Sequence, residues 1–231
     1  MNIVITGASK GIGFQVAKFF LNNNNNRIIA LSKSLKGLES LKSEVENAQN
    51  LSIHKFDITK YEENELINIC DAFDSIDILI NNAGVLINKL FFDTTIQEWK
   101  DTFEVNLFSP VKIIKDLVPK MRLATQPHII NIGSMGGFQG SAKFKGLSAY
   151  SCSKAALANL TECLAVELKE EKIFVNCLCL GAVNTRMFRE AFPEFTAPLE
   201  SDEIAKFICE FAVQSRGIIN GKILPISIST P

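Results

Sequence analysis

The 231-residue sequence lacks an excess of either charge, because 24 lysines and arginines stand against 25 aspartates and glutamates. Such a balance leaves no basic surface of the kind that binds nucleic acid or an anionic membrane. The sequence also lacks an apolar run near the roughly 20 residues that cross a bilayer. Its N-terminus has no basic region followed by a long apolar stretch, as a signal peptide would. We therefore expect a cytoplasmic protein that contacts neither nucleic acid nor membrane.

Metal-binding patterns are missing as well. The six cysteines fit no zinc spacing, since Cys177 and Cys179 are too close together and no second pair accompanies them. No metal site is expected, and free buried thiols are the simplest interpretation. The two histidines, His54 and His128, lie in or beside predicted strands without a placed partner, so we expect a core or surface role for them rather than catalysis.

Short apolar segments alternate with amphipathic ones along the whole chain. Strands that alternate with helices predict a parallel, doubly wound α/β sheet of Rossmann type, with about seven strands. No linker interrupts the pattern, which favours a single domain over residues 1–231. Residues 186–203 are predicted to form either a mobile flap or an ordinary packed loop. The predicted strands are 2–6, 27–32, 51–57, 76–82, 128–134, 173–180 and 222–227, and the predicted helices are approximately 11–22, 35–48, 60–74, 95–121, 147–170 and 201–214.

The first strand runs into the segment TGASKGIG (6–13), in which three glycines open a helix. Gly7 permits a tight turn, and Gly11 and Gly13 leave room for a diphosphate beside the backbone. The helix N-terminus then offers N–H groups and the positive end of its dipole to the phosphates. This turn predicts a dinucleotide site.

The end of the second strand indicates which dinucleotide is bound. An acidic residue there would accept the ribose 2′-hydroxyl of NAD, but the sequence reads ALSKS, with Ser32 and Lys33. Lys33, together with Lys10 in the glycine turn, is placed to pair with a 2′-phosphate, and Ser32 to donate a hydrogen bond to it. NADP is favoured, and NAD stays possible.

Further short motifs follow the glycine turn. They are Asp57-Ile58 after the third strand, NNAG (81–84), Asn106, Ser134 and YSCSK (150–154). In this order and spacing they resemble the short-chain dehydrogenase/reductase family along nearly the whole chain. The resemblance implies hydride transfer between a nicotinamide cofactor and a carbonyl or alcohol. It also implies cofactor contacts from Gly7, Ser9, Lys10, Gly11, Ile12, Gly13, Ser32, Lys33, Asp57, Ile58, Asn82, Ala83, Gly84, Tyr150, Lys154, Gly181, Val183 and Thr185.

The same resemblance assigns the catalytic residues. Tyr150 is the general acid for reduction and the base for oxidation, Ser134 holds the substrate oxygen, and Asn106 holds a water in a proton relay. Lys154 lies one helical turn after Tyr150. At about 4 Å and an effective dielectric near 20, its ammonium would favour the phenolate by roughly 4 kcal/mol. We therefore expect a lowered pKa for Tyr150.

Two departures from the family pattern stand out. Leu180 replaces the usual proline in the segment LGAVNT, and residues 221–230 lack the usual glycine-rich ending. Five phenylalanines in two segments bordering the expected nicotinamide pocket suggest an apolar carbonyl substrate. The resemblance also implies a homodimer or homotetramer. Two alternatives stay open: a non-catalytic dinucleotide sensor or scaffold, and a sugar-nucleotide epimerase or dehydratase, which shares Y-x-x-x-K but has a different glycine turn. The five phenylalanines are Phe138, Phe144, Phe188, Phe192 and Phe195.

Overall fold

A parallel seven-stranded sheet forms the centre of the protein. The computed structural model describes residues 1–228, so residues 229–231 of the predicted domain lie outside the described part. Within it, seven strands pair in the order β3-β2-β1-β4-β5-β6-β9, and β7 and β8 form a separate parallel pair. The predicted Rossmann-type sheet is confirmed. The strands are β1 (Asn2–Thr6), β2 (Arg27–Ser32), β3 (Leu51–Lys55), β4 (Ile78–Asn81), β5 (His128–Ser134), β6 (Phe174–Leu180), β7 (Val183–Asn184), β8 (Leu199–Glu200) and β9 (Ile223–Ile226).

Helices connect the strands and cover both faces of the sheet. They are α1 (Gly11–Leu21), α2 (Leu35–Glu44), α3 (Glu65–Ile69), α4 (Ile96–Phe103), α5 (Ser109–Met121), α6 (Ser148–Glu167), α7 (Arg186–Ala191) and α8 (Ser201–Gln214). A single π-helical turn, Glu104–Phe108, joins α4 to α5. Within residues 1–228, no helix is both long and apolar enough to span a membrane.

The strands are apolar on both faces because each face has its own core. In β1, Ile3 and Ile5 pack with α1 and α8, whereas Val4 packs on the opposite face with apolar residues of α5. Successive side chains of a strand point to opposite faces. The continuous apolar runs in the sequence are therefore those of strands buried on both sides.

The order of the strands reverses beside β1, whose neighbours are β2 and β4. At such a reversal the connecting helices leave toward opposite faces, and a crevice opens beyond the carboxyl ends of the strands. The glycine turn after β1 and the NNAG segment after β4 both border that crevice.

Three predicted segments differ from the structure, and in the first of them the helix predicted over residues 95–121 is divided by the π turn at Glu104–Phe108. The helix predicted over residues 60–74 is confined to α3 and a 3₁₀ turn at Cys70–Ala72, because Asn64 takes a left-handed conformation with φ 67°. Residues 186–203, predicted as a loop, contain α7 and β8 and the start of α8. The hydroxyl of Thr185 caps α7 by accepting a hydrogen bond from the Phe188 N–H at 3.2 Å.

Candidate active site

A cavity of about 750 Å³ lies at the carboxyl edge of the sheet. Three predicted residues, Gly13, Asp57 and Asn106, do not line it. The predicted residues that do are Gly7, Ser9, Lys10, Gly11, Ile12, Ser32, Lys33, Ile58, Asn82, Ala83, Gly84, Ser134, Tyr150, Lys154, Gly181, Val183 and Thr185.

The glycine turn is packed so tightly that a side chain would not fit at Gly7 or Gly13. Gly7 has φ 70°, and a Cβ there would lie 2.8 Å from Ala83 Cα. A Cβ at Gly13 would meet the Gly7 carbonyl oxygen at 2.6 Å. The α1 N-terminus, at Lys10, has no capping side chain and no acidic residue in its first turn. This cradle fits the diphosphate of a dinucleotide, since the helix offers N–H donors and positive potential there.

The NNAG segment is tied to the glycine turn by hydrogen bonds. The Asn82 side-chain amide donates to the carbonyls of Thr6 at 3.0 Å and Gly7 at 3.2 Å. The Thr6 hydroxyl accepts from the backbone N–H groups of Asn82 and Ala83, both at 3.1 Å. Sequence reasoning assigned no role to Thr6, although it is the first residue of the quoted glycine motif.

Polar side chains at the end of β2 have protein partners. The Ser32 hydroxyl donates to Ser9 Oγ at 2.7 Å. Lys33 Nζ lies 3.0 Å from an Asp57 carboxylate oxygen, which also accepts from Thr59. Exposed ion pairs of this kind contribute about 0–1 kcal/mol, so this one holds Lys33 only weakly. Asp57 therefore lies beside the cavity as a partner of Lys33, while Ile58 lines it.

Tyr150 and Ser134 meet inside the cavity. Burial raises the pKa of Tyr150, a hydrogen bond from the Ser134 side chain lowers it, and the nearby Cys179 raises it. The net direction is upward, so the expected lowering of this pKa is wrong for the structure. The reason is that desolvation of the phenolate outweighs the stabilisation it receives.

Lys154 is buried one turn after Tyr150. Its Nζ donates to the Ile132 carbonyl at 2.7 Å. Burial lowers the pKa of Lys154 to about 8, and the thiols of Cys177 and Cys179 oppose that shift. The ammonium is thus held toward β5, and it is not among the causes that shift the Tyr150 pKa.

Asn106 lies in the π-helical turn, behind the cavity. Its side-chain oxygen accepts from the Val85 N–H at 2.9 Å. Its amide donates to the Val85 carbonyl at 2.9 Å and to Ser153 Oγ at 3.0 Å. Isolated π turns occur often at functional sites. Here Asn106 links the loop that follows NNAG, at Val85, to Ser153 of α6. The role of Asn106 in holding a water stays a prediction.

The segment after β6 is anchored despite Leu180. Leu180 pairs with Ser134 on one side and with Ile226 on the other, and the Gly181 N–H donates to the Ile226 carbonyl at 2.8 Å. Beyond it, β7 pairs with β8. The backbone of the LGAVNT segment is therefore fixed by the sheet without a proline.

Four of the five phenylalanines assigned to the substrate region line the cavity, namely Phe144, Phe188, Phe192 and Phe195. Phe138 does not, and instead packs against the buried cluster that contains Met135 and Cys179. The cavity also contains apolar residues that sequence reasoning missed, because an apolar residue in a loop carries no signal of its neighbours. They include Val85, Leu86, Met135, Leu147 and Met187.

The six cysteines divide into two groups. Cys70, Cys177, Cys179 and Cys209 are buried, as predicted, whereas Cys152 and Cys163 are exposed on α6. The sulfur atoms of Cys177 and Cys179 lie 3.9 Å apart, behind Gly133. Among residues 1–228, no cluster of three or more His, Cys, Asp or Glu side chains could hold a metal ion.

We expect a thiol reagent to modify two cysteines of the folded chain rapidly and the other four only after unfolding. Exposure governs reagent access, and burial raises the pKa of Cys70 to about 12, which removes its reactive thiolate. Titration with a chromogenic disulfide, with and without denaturant, measures both groups. The matched variant Cys152→Ser should lose one rapid equivalent. More than two rapid equivalents in the native protein would contradict this arrangement.

Known proteins are similar to this chain in sequence and in architecture. Residues 1–195 match the profile of the family described as short chain dehydrogenase. The chain is 32% identical to the 3-oxoacyl-[acyl-carrier-protein] reductase FabG of Buchnera aphidicola subsp. Baizongia pistaciae, over 94% of this chain and 84% of that protein. It is 28% identical to FabG of Aquifex aeolicus, over 97% and 94%. The solved structure of ElxO with NADP bound matches with a TM-score of 0.85 and 29% identity, over 97% and 96% of the two chains.

Proposed function

The chain belongs to the short-chain dehydrogenase family, whose reaction is NAD(P)-dependent oxidoreduction, and from that premise we propose that it reduces a carbonyl compound with NADPH or oxidises the matching alcohol. The observation that carries this proposal is that the glycine turn, Ser134, Tyr150 and Lys154 line one and the same cavity. A dinucleotide cradle and a proton donor border the same cavity. Carbonyl reduction requires this arrangement, because the carbonyl carbon receives a hydride and the carbonyl oxygen receives a proton.

Each side chain has a distinct role in the proposal. When bound, the nicotinamide cofactor supplies the hydride. Tyr150 donates its phenolic proton to the carbonyl oxygen, and its raised pKa keeps that proton in place at neutral pH. Ser134, hydrogen-bonded to the phenol, holds the same oxygen by a second bond. Lys154, buried and positive below a pH of about 8, lines the same cavity and is assigned a hydrogen bond to the nicotinamide ribose.

NADP is the proposed cofactor. ElxO, the structural relative, binds NADP. In this chain no acidic residue ends β2, and Lys10 and Lys33 both line the cavity. The exposed Lys33–Asp57 pair contributes only about 0–1 kcal/mol, and a phosphate carries more negative charge than one carboxylate, so Lys33 can leave Asp57 for a 2′-phosphate.

We expect Lys33→Ala to raise the Kd for NADPH by roughly tenfold and that for NADH by less than about twofold, because it removes one charge-assisted hydrogen bond to the 2′-phosphate. Fluorescence titration of both reduced cofactors measures these constants. Lys36→Ala is the matched control, since Lys36 is exposed and does not line the cavity. Equal losses for NADPH and NADH, or none, would contradict the assignment of Lys33.

The proposed reaction is tested by NADPH oxidation over aldehydes, ketones, quinones and 3-oxoacyl thioesters. The thioesters are included because FabG, a relative, is named for such a substrate. Turnover of at least one carbonyl class supports the proposal. Binding of NADPH with no oxidation across the panel would favour the alternative of a non-catalytic sensor. A cytoplasmic location and a homodimeric or homotetrameric state stay predictions.

A further inference from the structure

One part of the cavity is walled by apolar side chains from two segments that are distant in sequence. The first segment is the loop of residues 138–147 before α6, and the second is residues 186–198, which contain α7 and the loop after it. The ring centroids of Phe188 and Phe192 lie 5.3 Å apart, and those of Phe192 and Phe195 lie 6.3 Å apart. We call the following cavity-lining set the apolar wall: Phe144, Leu147, Met187, Phe188, Phe192 and Phe195.

The two segments of the apolar wall are held by one loop. After β4, the backbone N–H of Lys89 donates to the Gly146 carbonyl at 2.9 Å. The adjacent Asn88 side chain donates to the Ala191 carbonyl at 2.7 Å. Residues 88 and 89 therefore fix both segments relative to each other. A ligand that fits between them does not have to order them first, which lowers the cost of binding.

Apart from Arg186, the charges of the cavity lie away from the apolar wall. Of the described residues that line the cavity, none is acidic, and four are basic. Lys10 and Lys33 lie at the glycine turn and the end of β2, and Lys154 donates to the Ile132 carbonyl. Arg186, next to the wall, is in an exposed ion pair with Glu190 at 2.6 Å, which holds it as weakly as Asp57 holds Lys33. Away from Arg186, a charged group on the substrate would lose water against the wall without gaining a partner.

Two rings of the apolar wall are substantially exposed to solvent, Phe195 at 68% and Phe144 at 50%. Exposed apolar surface in a concavity marks a binding site, because covering it with an apolar ligand releases water. We infer that the substrate of the proposed reaction is a carbonyl compound with an uncharged apolar chain, and that the apolar wall binds this chain. The inference rests on the proposed function, because Ser134 and Tyr150, which line the same cavity as the wall, are proposed to receive the carbonyl oxygen.

A homologous series tests the inference in two independent ways. The first uses unreactive amides, from butanamide to decanamide, in calorimetric titrations of the protein with NADPH. The second measures kcat/KM for straight-chain aldehydes of the same lengths. Each added methylene should improve the Kd of the amide and the kcat/KM of the aldehyde by roughly fourfold, until the wall is covered. Aldehydes that end in a carboxylate should lose this gain.

Substitution of one exposed ring at a time tests whether the apolar wall, and not exposed apolar surface elsewhere, binds the substrate chain. Phe195→Ala should reduce the gain per methylene to below about twofold for the longer members of both series. Phe92→Ala is the matched control, because Phe92 is 96% exposed, has a single ring neighbour as Phe195 has, and does not line the cavity. It should leave both series unchanged. Equal effects of the two substitutions would overturn the inference.

The two series distinguish failure of the inference from failure of the proposed function. Turnover of aldehydes without a dependence on chain length, or faster turnover of charged ones, would overturn the apolar wall while leaving the oxidoreductase intact. Chain-length-dependent binding of amides without turnover of any aldehyde, ketone, quinone or 3-oxoacyl thioester would support the wall and overturn the reaction. A gain in both series supports both.

Discussion

Replacing Tyr150 by phenylalanine is expected to lower kcat for carbonyl reduction by about 10²–10⁴-fold, the usual contribution of a positioned general acid. The substitution keeps the ring and removes the hydroxyl that Ser134 contacts. The carbonyl oxygen then has no proton donor at that place, and water is held too poorly to replace it. Because the diphosphate cradle lies elsewhere in the cavity, the Kd for NADPH should change by less than about twofold. Single-turnover stopped flow measures the chemical step directly.

Tyr61→Phe provides the matched control, since Tyr61 is the other tyrosine of the sequence. Its hydroxyl donates to Asp116 at 2.7 Å, away from the cavity. Removing it should cost about 1 kcal/mol of unfolding free energy and leave turnover unchanged. If Tyr150→Phe retained turnover within about tenfold of the parent, far less than a general acid contributes, the assignment of Tyr150 would be wrong.

Gly7→Ala is the second substitution with a large expected effect. An added methyl would overlap Ala83 Cα and force a left-handed conformation, φ 70°, on a residue with a side chain. The left-handed conformation costs about 1–2 kcal/mol and the overlap about 1–3 kcal/mol. The Thr6 and Asn82 hydrogen bonds that shape the turn would also shift. We expect the Kd for NADPH to rise by tenfold or more, about 1.4 kcal/mol.

Gly140→Ala separates the two costs of that change. Gly140 has φ 82°, yet a Cβ there would meet no atom within 4 Å. It should therefore lower the unfolding free energy by only about 1–2 kcal/mol and leave cofactor affinity unchanged. Thermal unfolding and NADPH titration of both variants make the comparison. Similar affinities for Gly7→Ala and Gly140→Ala would contradict a close-packed cofactor cradle at Gly7.

The sheet could be predicted from the sequence because its strands are buried on both faces. Segments such as NIVIT and HIINIGS have no polar face, so their apolar runs identify them without knowledge of their neighbours. Short elements were harder to predict. The helix α7 depends on the Thr185 cap, and the pair β7–β8 depends on contacts between residues distant in sequence. The sequence shows no hydrophobic periodicity that would predict these elements. The π turn at Asn106 was likewise hidden within a predicted continuous helix.

Which residues line the cavity was easier to predict than the physical state of the groups they carry. The i, i+4 spacing placed Tyr150 and Lys154 one turn apart on α6. It did not reveal the Ile132 carbonyl, which lies on a strand and binds the Lys154 ammonium at 2.7 Å. Nor did it reveal how strongly burial opposes ionisation of the phenol. Desolvation depends on all surrounding groups, so the direction of the Tyr150 pKa shift required the folded chain.

Transfer of deuterium from NADPH carrying deuterium at both hydrogens of the nicotinamide C4 to a straight-chain aldehyde is the most direct measurement of the proposed reaction. With the parent protein, mass spectrometry should find one deuterium on the carbinol carbon of the product, and Tyr150→Phe should nearly abolish product formation while still binding the labelled cofactor. Product without deuterium, or bound cofactor with no product from any carbonyl compound, would contradict the assignment of this chain as an NADPH-dependent carbonyl reductase.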